Sequence, residues 1–183
     1  WVAPTLGATD ADSGTTLIWS VSSTASNGVA TVSGMGAAPS TFTYAPNSDF
    51  NGNDSFVVQV SDGALTDTIT INVTVSGVND APVITQGAGP ITKTVIEDGN
   101  ASWGAMDLNA TDVDTASVLL TWSVSSSASN GSIVLSGSGS YPSLFTYTPN
   151  ADFNGSDSFT VQVTDGALSD SVTFNVTVNG VND

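Results

Sequence analysis

The chain repeats itself. Trp1-Val-Ala-Pro-Thr-Leu-Gly-Ala-Thr-Asp-Ala-Asp12 aligns with Trp103-Gly-Ala-Met-Asp-Leu-Asn-Ala-Thr-Asp-Val-Asp114 at an offset of 102 residues. From the pair Trp19 and Trp122 onward the offset is 103 and holds to the end. Tyr44/Tyr147, Asp49-Phe-Asn-Gly52/Asp152-Phe-Asn-Gly155, Asp62-Gly-Ala-Leu65/Asp165-Gly-Ala-Leu168 and Gly77-Val-Asn-Asp80/Gly180-Val-Asn-Asp183 all match. A period of 103 residues is an ordinary domain size, so each repeat is long enough to bury its own core. Residues 81–102, ahead of Trp103, have no counterpart ahead of Trp1. The expected organisation is a module lacking its first strand over 1–80 and a complete module over 81–183, as a piece of a longer array.

Within each repeat the hydrophobic period is two. Phe159, Val161 and Val163 alternate with Ser, Thr and Gln, and Val172, Phe174, Val176 and Val178 do the same, as half-buried strands do. The short link Asp165-Gly-Ala-Leu-Ser-Asp170 joins these two runs as a hairpin. Asn27-Gly28, Asn51-Gly52, Asn130-Gly131 and Asn154-Gly155 supply residues that tolerate positive φ in tight turns. No stretch carries convincing helical periodicity. The complete module predicts strand A in two pieces (82–86 and 92–96) and B near 103–110. C follows near 119–125, D near 132–136, E near 144–148, F near 158–164 and G near 171–178. This is the pattern of an all-β, immunoglobulin-like Greek-key sandwich, with a closed barrel as the alternative.

Charge narrows the partners. One base, Lys93, stands against seventeen acids, for a formal net charge of −16. No basic cluster exists to neutralise phosphates, which argues against nucleic acid and anionic membrane as partners. Sixteen of the seventeen acids are Asp, mostly in turns, where Asp either bonds its own backbone or offers oxygen to a hard cation. Zero cysteines exclude disulfides, zinc-thiolate sites and thiol nucleophiles. No apolar run is long enough for a membrane span, and no insertion into a membrane is expected.

Strand parity sorts the acids by end. In such a sandwich the B–C and F–G loops lie at the upstream end, where strand A begins. The A–B and E–F loops lie at the downstream end, where strand G leaves. In the second module the upstream end therefore collects Asn79, Asp80, Asp112, Asp114 and Asp165, and the downstream end of the first collects Asp49 and Asp54. Six carboxylates and one amide are thus expected to converge on the inter-module junction. Burying them without a counter-charge would cost several kcal/mol each, and calcium, which accepts six to eight oxygens, resolves the conflict better than magnesium. Asp10, Asp12 and Asp62 form the equivalent half-site of the first module, while Asp67 and Asp170 read as ordinary turn or strand-end residues.

Ala110-Thr-Asp-Val-Asp114 resembles the cadherin A-x-D-x-D calcium motif, and Val163-Thr-Asp-Gly-Ala-Leu168 looks like its D-x-G turn. Gly77-Val-Asn-Asp-Ala-Pro82 resembles the cadherin inter-domain linker. Tyr147-Thr-Pro-Asn-Ala-Asp-Phe-Asn-Gly155 with Asp157-Ser-Phe159 is similar to bacterial cadherin-like tandem repeats of large secreted adhesins. The resemblance implies tandem cadherin-like sandwiches rigidified by calcium, with Asn79, Asp80, Asp112, Asp114 and Asp165 as ligands. It also implies a ligand role for Glu97 and Asp98, which sit where the family carries an N-terminal-loop glutamate. The family's D-R-E motif is absent, and Asp49, Asp54, Asp152 and Asp157 stand in for it by loop placement.

Enzyme readings fail on inventory. There is no His and no Cys for a triad, and Asp12-Ser-Gly14 loses its glycine in the repeat Asp114-Thr-Ala116. Trp19 and Trp122 fall mid-strand in C, where a sandwich buries a tryptophan; Trp1 and Trp103 open strand B as core-edge residues. The expected function is a calcium-rigidified extender of a bacterial surface adhesin in cell adhesion or biofilm formation. Such a module is extracellular or surface-bound, and its partners are neighbouring repeats and other adhesin chains. The alternative is a carbohydrate-binding module of a secreted polysaccharide-acting protein, which requires exposed aromatics such as Tyr141 near a loop.

Overall fold

The computed structural model describes residues 1–12, 14–99, 101–102 and 108–182. It divides into two compact units, Trp1–Val78 and Asn79–Asp183. The first holds β1 (Ile18–Ser23), β2 (Gly28–Met35), β3 (Thr41–Pro46), β4 (Gly52–Ser61) and β5 (Thr66–Val75). The second holds β6 (Val83–Ile84), β7 (Ile91–Ile96), β8 (Ala101–Ser102), β9 (Ala110–Thr111) and β10 (Thr121–Ser126), followed by β11 (Gly131–Ser136), β12 (Leu144–Pro149), β13 (Gly155–Thr164) and β14 (Ser169–Asn179).

In the second unit one sheet runs β10-β13-β14-β7, a second runs β11-β12-β8, and β6 pairs with β9. All these pairings are antiparallel except β7 on β14. The layers are open sheets with the core between them, so the fold is an all-β sandwich and not a closed barrel. The first unit has the order β3-β2-β1-β4-β5, and the chain turns from one layer to the other where Ile18 and Trp19 pair with Met35 and Gly34. Both units carry a register shift at the same place, between Val21 and Ser23 and between Val124 and Ser126. Such bulges sharpen the local twist.

Strand C of the second unit starts at Thr121, because Ser117–Leu119 form a 3₁₀ turn instead of extending it. Leu119 is exposed there while Leu120 enters the core. Strand B appears as β8 and β9; residues 103–107, including Trp103, lie outside the described residues.

Period-two alternation delivers the core. Phe159, Val161 and Val163 of β13 face Val172, Phe174, Val176 and Val178 of β14, all buried with Phe145, Tyr147 and Trp122. Phe159 and Phe174 stack with centroids 5.1 Å apart, and Tyr147 stacks on the other side of Phe159 at 5.8 Å. Each fully buried Phe or Val contributes about 1.5–3 kcal/mol. Trp19 and Trp122 are buried as expected, and their indole N–H groups donate to the carbonyls of Gly36 (2.9 Å) and Gly139 (3.0 Å). Trp1 lies at the rim of the first core, edge-on to Phe42 at 5.4 Å.

Candidate metal centre

β9 ends at Thr111 and the chain turns at once. Asp112 folds the turn with one carboxylate oxygen: its Oδ1 accepts the N–H of Asp114 (3.1 Å) and of Thr115 (2.8 Å). Its Oδ2 is buried in the cleft lined by residues 110–117 and Ser140, with no hydrogen-bond partner. A buried carboxylate oxygen is costly to leave unmatched. Beside it, the Asp114 carboxyl contacts that of Asp112 and accepts the N–H of Asp80 at 3.3 Å. Its affinity for a proton is raised, first by the adjoining side chain of Asp112, then by burial, then by the charges of Asp112 and Asp80.

The F–G hairpin brings the next carboxylate. Asp165 Oδ1 caps the turn by accepting the N–H groups of Ala167 (2.6 Å) and Leu168 (2.7 Å), and Gly166 supplies the required positive φ of 104°. Asp165 Oδ2 accepts the Asn79 amide at 2.7 Å. The Asn79 amide, followed by the Ala167 and Leu168 N–H groups, holds the Asp165 carboxyl below the usual carboxylate range. Asn79 also donates to the carbonyl of Asp80 at 3.0 Å. Within the second unit, residues 79 and 80 therefore tie the F–G turn to the B–C turn.

The first unit repeats the arrangement. Asp10 Oδ1 accepts the Asp12 N–H at 2.7 Å, and Asp62 Oδ1 caps its turn on Ala64 (2.7 Å) and Leu65 (2.6 Å). Those two N–H groups chiefly, with a smaller contribution from the Asp10 side chain, hold the Asp62 carboxyl low. Among the described residues no three acidic side chains stand together as a finished coordination set.

The E–F acids do other work. Asp54 and Asp157 are each only 8% exposed, and both oxygens of each are fully engaged. Asp157 accepts the Tyr147 hydroxyl (2.8 Å) and the N–H groups of Ser129 (3.1 Å), Asn130 (3.0 Å) and Ser158 (2.9 Å). Asp54 accepts Tyr44 (2.9 Å), Ser26 (3.1 Å), Asn27 (2.9 Å) and Ser55 (2.8 Å) in the same places. Burial opposes ionisation of Asp157, but these donors outweigh it and hold the carboxyl below its ordinary range. Where loop placement assigned Asp54 and Asp157 to a cation, the structure gives them a cage of protein donors that uses the oxygens a cation would need. The signal was the ten-residue spacing from Tyr44 to Asp54, repeated from Tyr147 to Asp157.

Asp49 and Asp152 are exposed residues of the E–F turns at φ of 60° and 59°, a conformation Asp tolerates better than most side chains. Glu97 lies at the downstream end of the second unit. It is buried and accepts the Val181 N–H and, at 3.4 Å, the Asn154 amide, while its own N–H donates to Asn179. Asp98 follows in an exposed turn at φ 57°. The eleven residues of β14 separate this end from Asp165 by about 35 Å, so Glu97 and Asp98 do not share the Asp112 site. A further polar contact escaped sequence reading: Asp170 Oδ2 accepts the Ile84 N–H at 2.8 Å and fastens β6 to the start of β14.

A model of the bacterial cadherin-like domain matches residues 79–180, and one of the bacterial Ig domain matches residues 2–74. No curated protein matches the chain. Among solved structures, Drosophila N-cadherin EC1-4 has a TM-score of 0.58 at 15% identity, covering 89% of this chain and 41% of that one. Protocadherin Gamma B2 extracellular cadherin domains 1-5 gives 0.52 at 20%, covering 91% and 34%. An endo-fucoidan hydrolase of glycoside hydrolase family 107 gives 0.39 at 20%, covering 92% and 24%, too distant a superposition to bear on function. The chain thus spans less than half the length of each of these proteins, and at such identities the likeness is one of fold.

Proposed function

We propose, for a chain that belongs to the bacterial cadherin-like domain family, that it is an extracellular, adhesin-like module whose upstream loops bind calcium and thereby stiffen an array of repeats. The observation that carries this reading is Asp112 Oδ2, buried without a partner beside Asp114, whose carboxyl in turn feels the charge of Asp80. The donor set is all oxygen, from Asp80, Asp112, Asp114 and Asp165 with Asn79, which suits a hard cation of flexible coordination. A bound calcium would supply the positive charge that lets these carboxylates stay ionised and close together. The chain's own residues do the rest: Asp112 and Asp165 pre-form the two turns, and Asn79 and Asp80 bring the linker into the set. Binding would therefore order the stretch that leads into the second unit.

Linkage sets the size of the effect. At free calcium 100-fold above Kd, a site present only in the folded state stabilises by about 2.7 kcal/mol. Calcium is expected to raise the melting temperature of the second unit and to reduce bending seen by small-angle scattering, with both effects reversed by chelator. Asp112→Ala or Asp114→Ala should abolish the calcium response of the second unit, whereas Asp10→Ala or Asp12→Ala should leave it intact. Identical melting and scattering in calcium and chelator would sink the proposal. Saturable glycan binding lost on mutating the exposed Tyr141 would favour a sugar-binding module instead.

A further inference from the structure

Strand A of the second unit is docked in two unequal pieces. The first, β6, makes two pairs with β9, Val83↔Thr111 and Ile84↔Ala110. Just beyond it, the Thr85 N–H donates to the Asn109 carbonyl (2.8 Å), and Gln86 accepts the Asn109 N–H (3.0 Å). One hydrogen bond among the described residues ties β6 to β14: Asp170 Oδ2 accepts the Ile84 N–H at 2.8 Å, while Oδ1 is fixed on the Ser171 N–H at 2.7 Å.

The second piece, β7, is held far more firmly. It makes six consecutive parallel pairs with β14, from Phe174↔Ile91 to Asn179↔Ile96. Glu97 extends the seam, donating its N–H to the Asn179 carbonyl (2.9 Å) and accepting the Val181 N–H on its carboxylate. Residues 85–90, between the two pieces, are exposed and turn on Gly87 at φ 86°.

Direction decides how each piece meets tension. The chain enters β7 at its upstream end and leaves β14 at its downstream end. In a parallel pair, tension at those two ends slides one strand along the other, so all the rungs are loaded together. Tension at one shared end would instead peel the strands apart rung by rung. Forced opening is governed by a rate, set by how much must break at once. β6 lies ahead of β7 on the chain and has fewer bonds, so it yields first, as a local opening that leaves the core folded.

We propose that β6 is a releasable strand, latched by Asp170, which lengthens the second unit under tension while β7, sheared along β14, holds the core. The proposal rests on the extender reading above, since a module in series is one that carries tension. Release frees residues 82–90, a gain of at most about 30 Å for nine extended residues. The short tether lets β6 dock again when the load falls.

The chain has no cysteine, so introduced pairs of cysteines set the direction of pull on the full chain, in optical tweezers and in chelator. Ala81 and Val181 are exposed, and a Cβ on Gly89 meets nothing within 4 Å. Handles at Ala81→Cys and Val181→Cys should give a short reversible event of at most about 30 Å, then a long one of about 300 Å. Handles at Gly89→Cys and Val181→Cys bypass β6, so the short event should be lost and the long one kept at the same force. Handles at Gly89→Cys and Leu168→Cys grip β7 and β14 at one end, and rupture should come at lower force than in shear. Asp170→Ala should lower the force of the short event and leave the long one where it was. A single all-or-none event from Ala81, a short event that survives from Gly89, equal forces in shear and peeling, or indifference to Asp170→Ala would each overturn the proposal. Chelator keeps this outcome apart from the calcium reading, which stands on the melting response to calcium.

Discussion

Asp157→Ala is expected to destabilise the second unit by about 3–5 kcal/mol, the range reached when a buried polar network loses its centre. The carboxylate gathers four donors from three segments: the Tyr147 hydroxyl, the Ser129 and Asn130 N–H groups, and the Ser158 N–H. Removing it leaves all four without their acceptor in a largely buried site. For a unit of this size the melting point should fall by about 15 °C or more. Asp157→Asn should recover little, since its amide nitrogen would face donors. The direction of the pKa shift adds a second check. The Asp157 carboxyl titrates below its ordinary range when folded, so its contribution is present above the unfolded value of about 3.9 and is lost as pH falls through the folded value. The gap between wild type and Asp157→Ala should therefore close in acid. It should also be the same in calcium and in chelator. A loss seen only with calcium would return Asp157 to the metal ligands.

This reassignment shows where sequence reading runs out. Alternation placed Phe159, Val161 and Val163 on the core face and drew strand F from Ser158. The strand begins three residues earlier, at Gly155. Extending the period back by one step puts Asp157 on the same inward face as Phe159, a burial that pattern alone rejects for a charged residue. Only tertiary structure brings the Tyr147 hydroxyl and the Ser129–Asn130 backbone to meet it. The turn acids were more legible because their geometry is local. Asp112 and Asp165 cap N–H groups two and three residues ahead, a task their short side chains perform wherever the turn occurs. The 3₁₀ turn before Thr121 was not legible, since Leu119 and Leu120 look alike in sequence and differ only in what covers them.

Gly131→Ala should cost about 3 kcal/mol or more, beyond the loss of an ordinary strand glycine. The Asn-Gly pairs looked alike in sequence, as residues for positive φ. Gly52 and Gly155 have it, at 122° and 135°, but Gly28 and Gly131 are not among the positive-φ glycines. Their requirement is space. A Cβ on Gly131 would lie 2.5 Å from Tyr147 Cε2 and 2.7 Å from the carbonyl oxygen of Thr148, and one on Gly28 would meet Tyr44 and Ala45 at 2.6 and 2.7 Å. Neither obstacle can yield cheaply. The Tyr147 ring is stacked on Phe159 and its hydroxyl is bonded to Asp157, and Thr148 is held in the β11–β12 ladder. Overpacking of this kind usually costs about 1–3 kcal/mol, and here the displaced ring also strains or breaks its bond to the carboxylate. Gly166→Ala is the control. It has φ of 104° with nothing within 4 Å of the added carbon, so only backbone strain of about 1–2 kcal/mol opposes it. Thermal melts of the two variants should separate by about 4 °C or more. Equal melting would mean that the space under the tyrosine ring is not what selects glycine at this position.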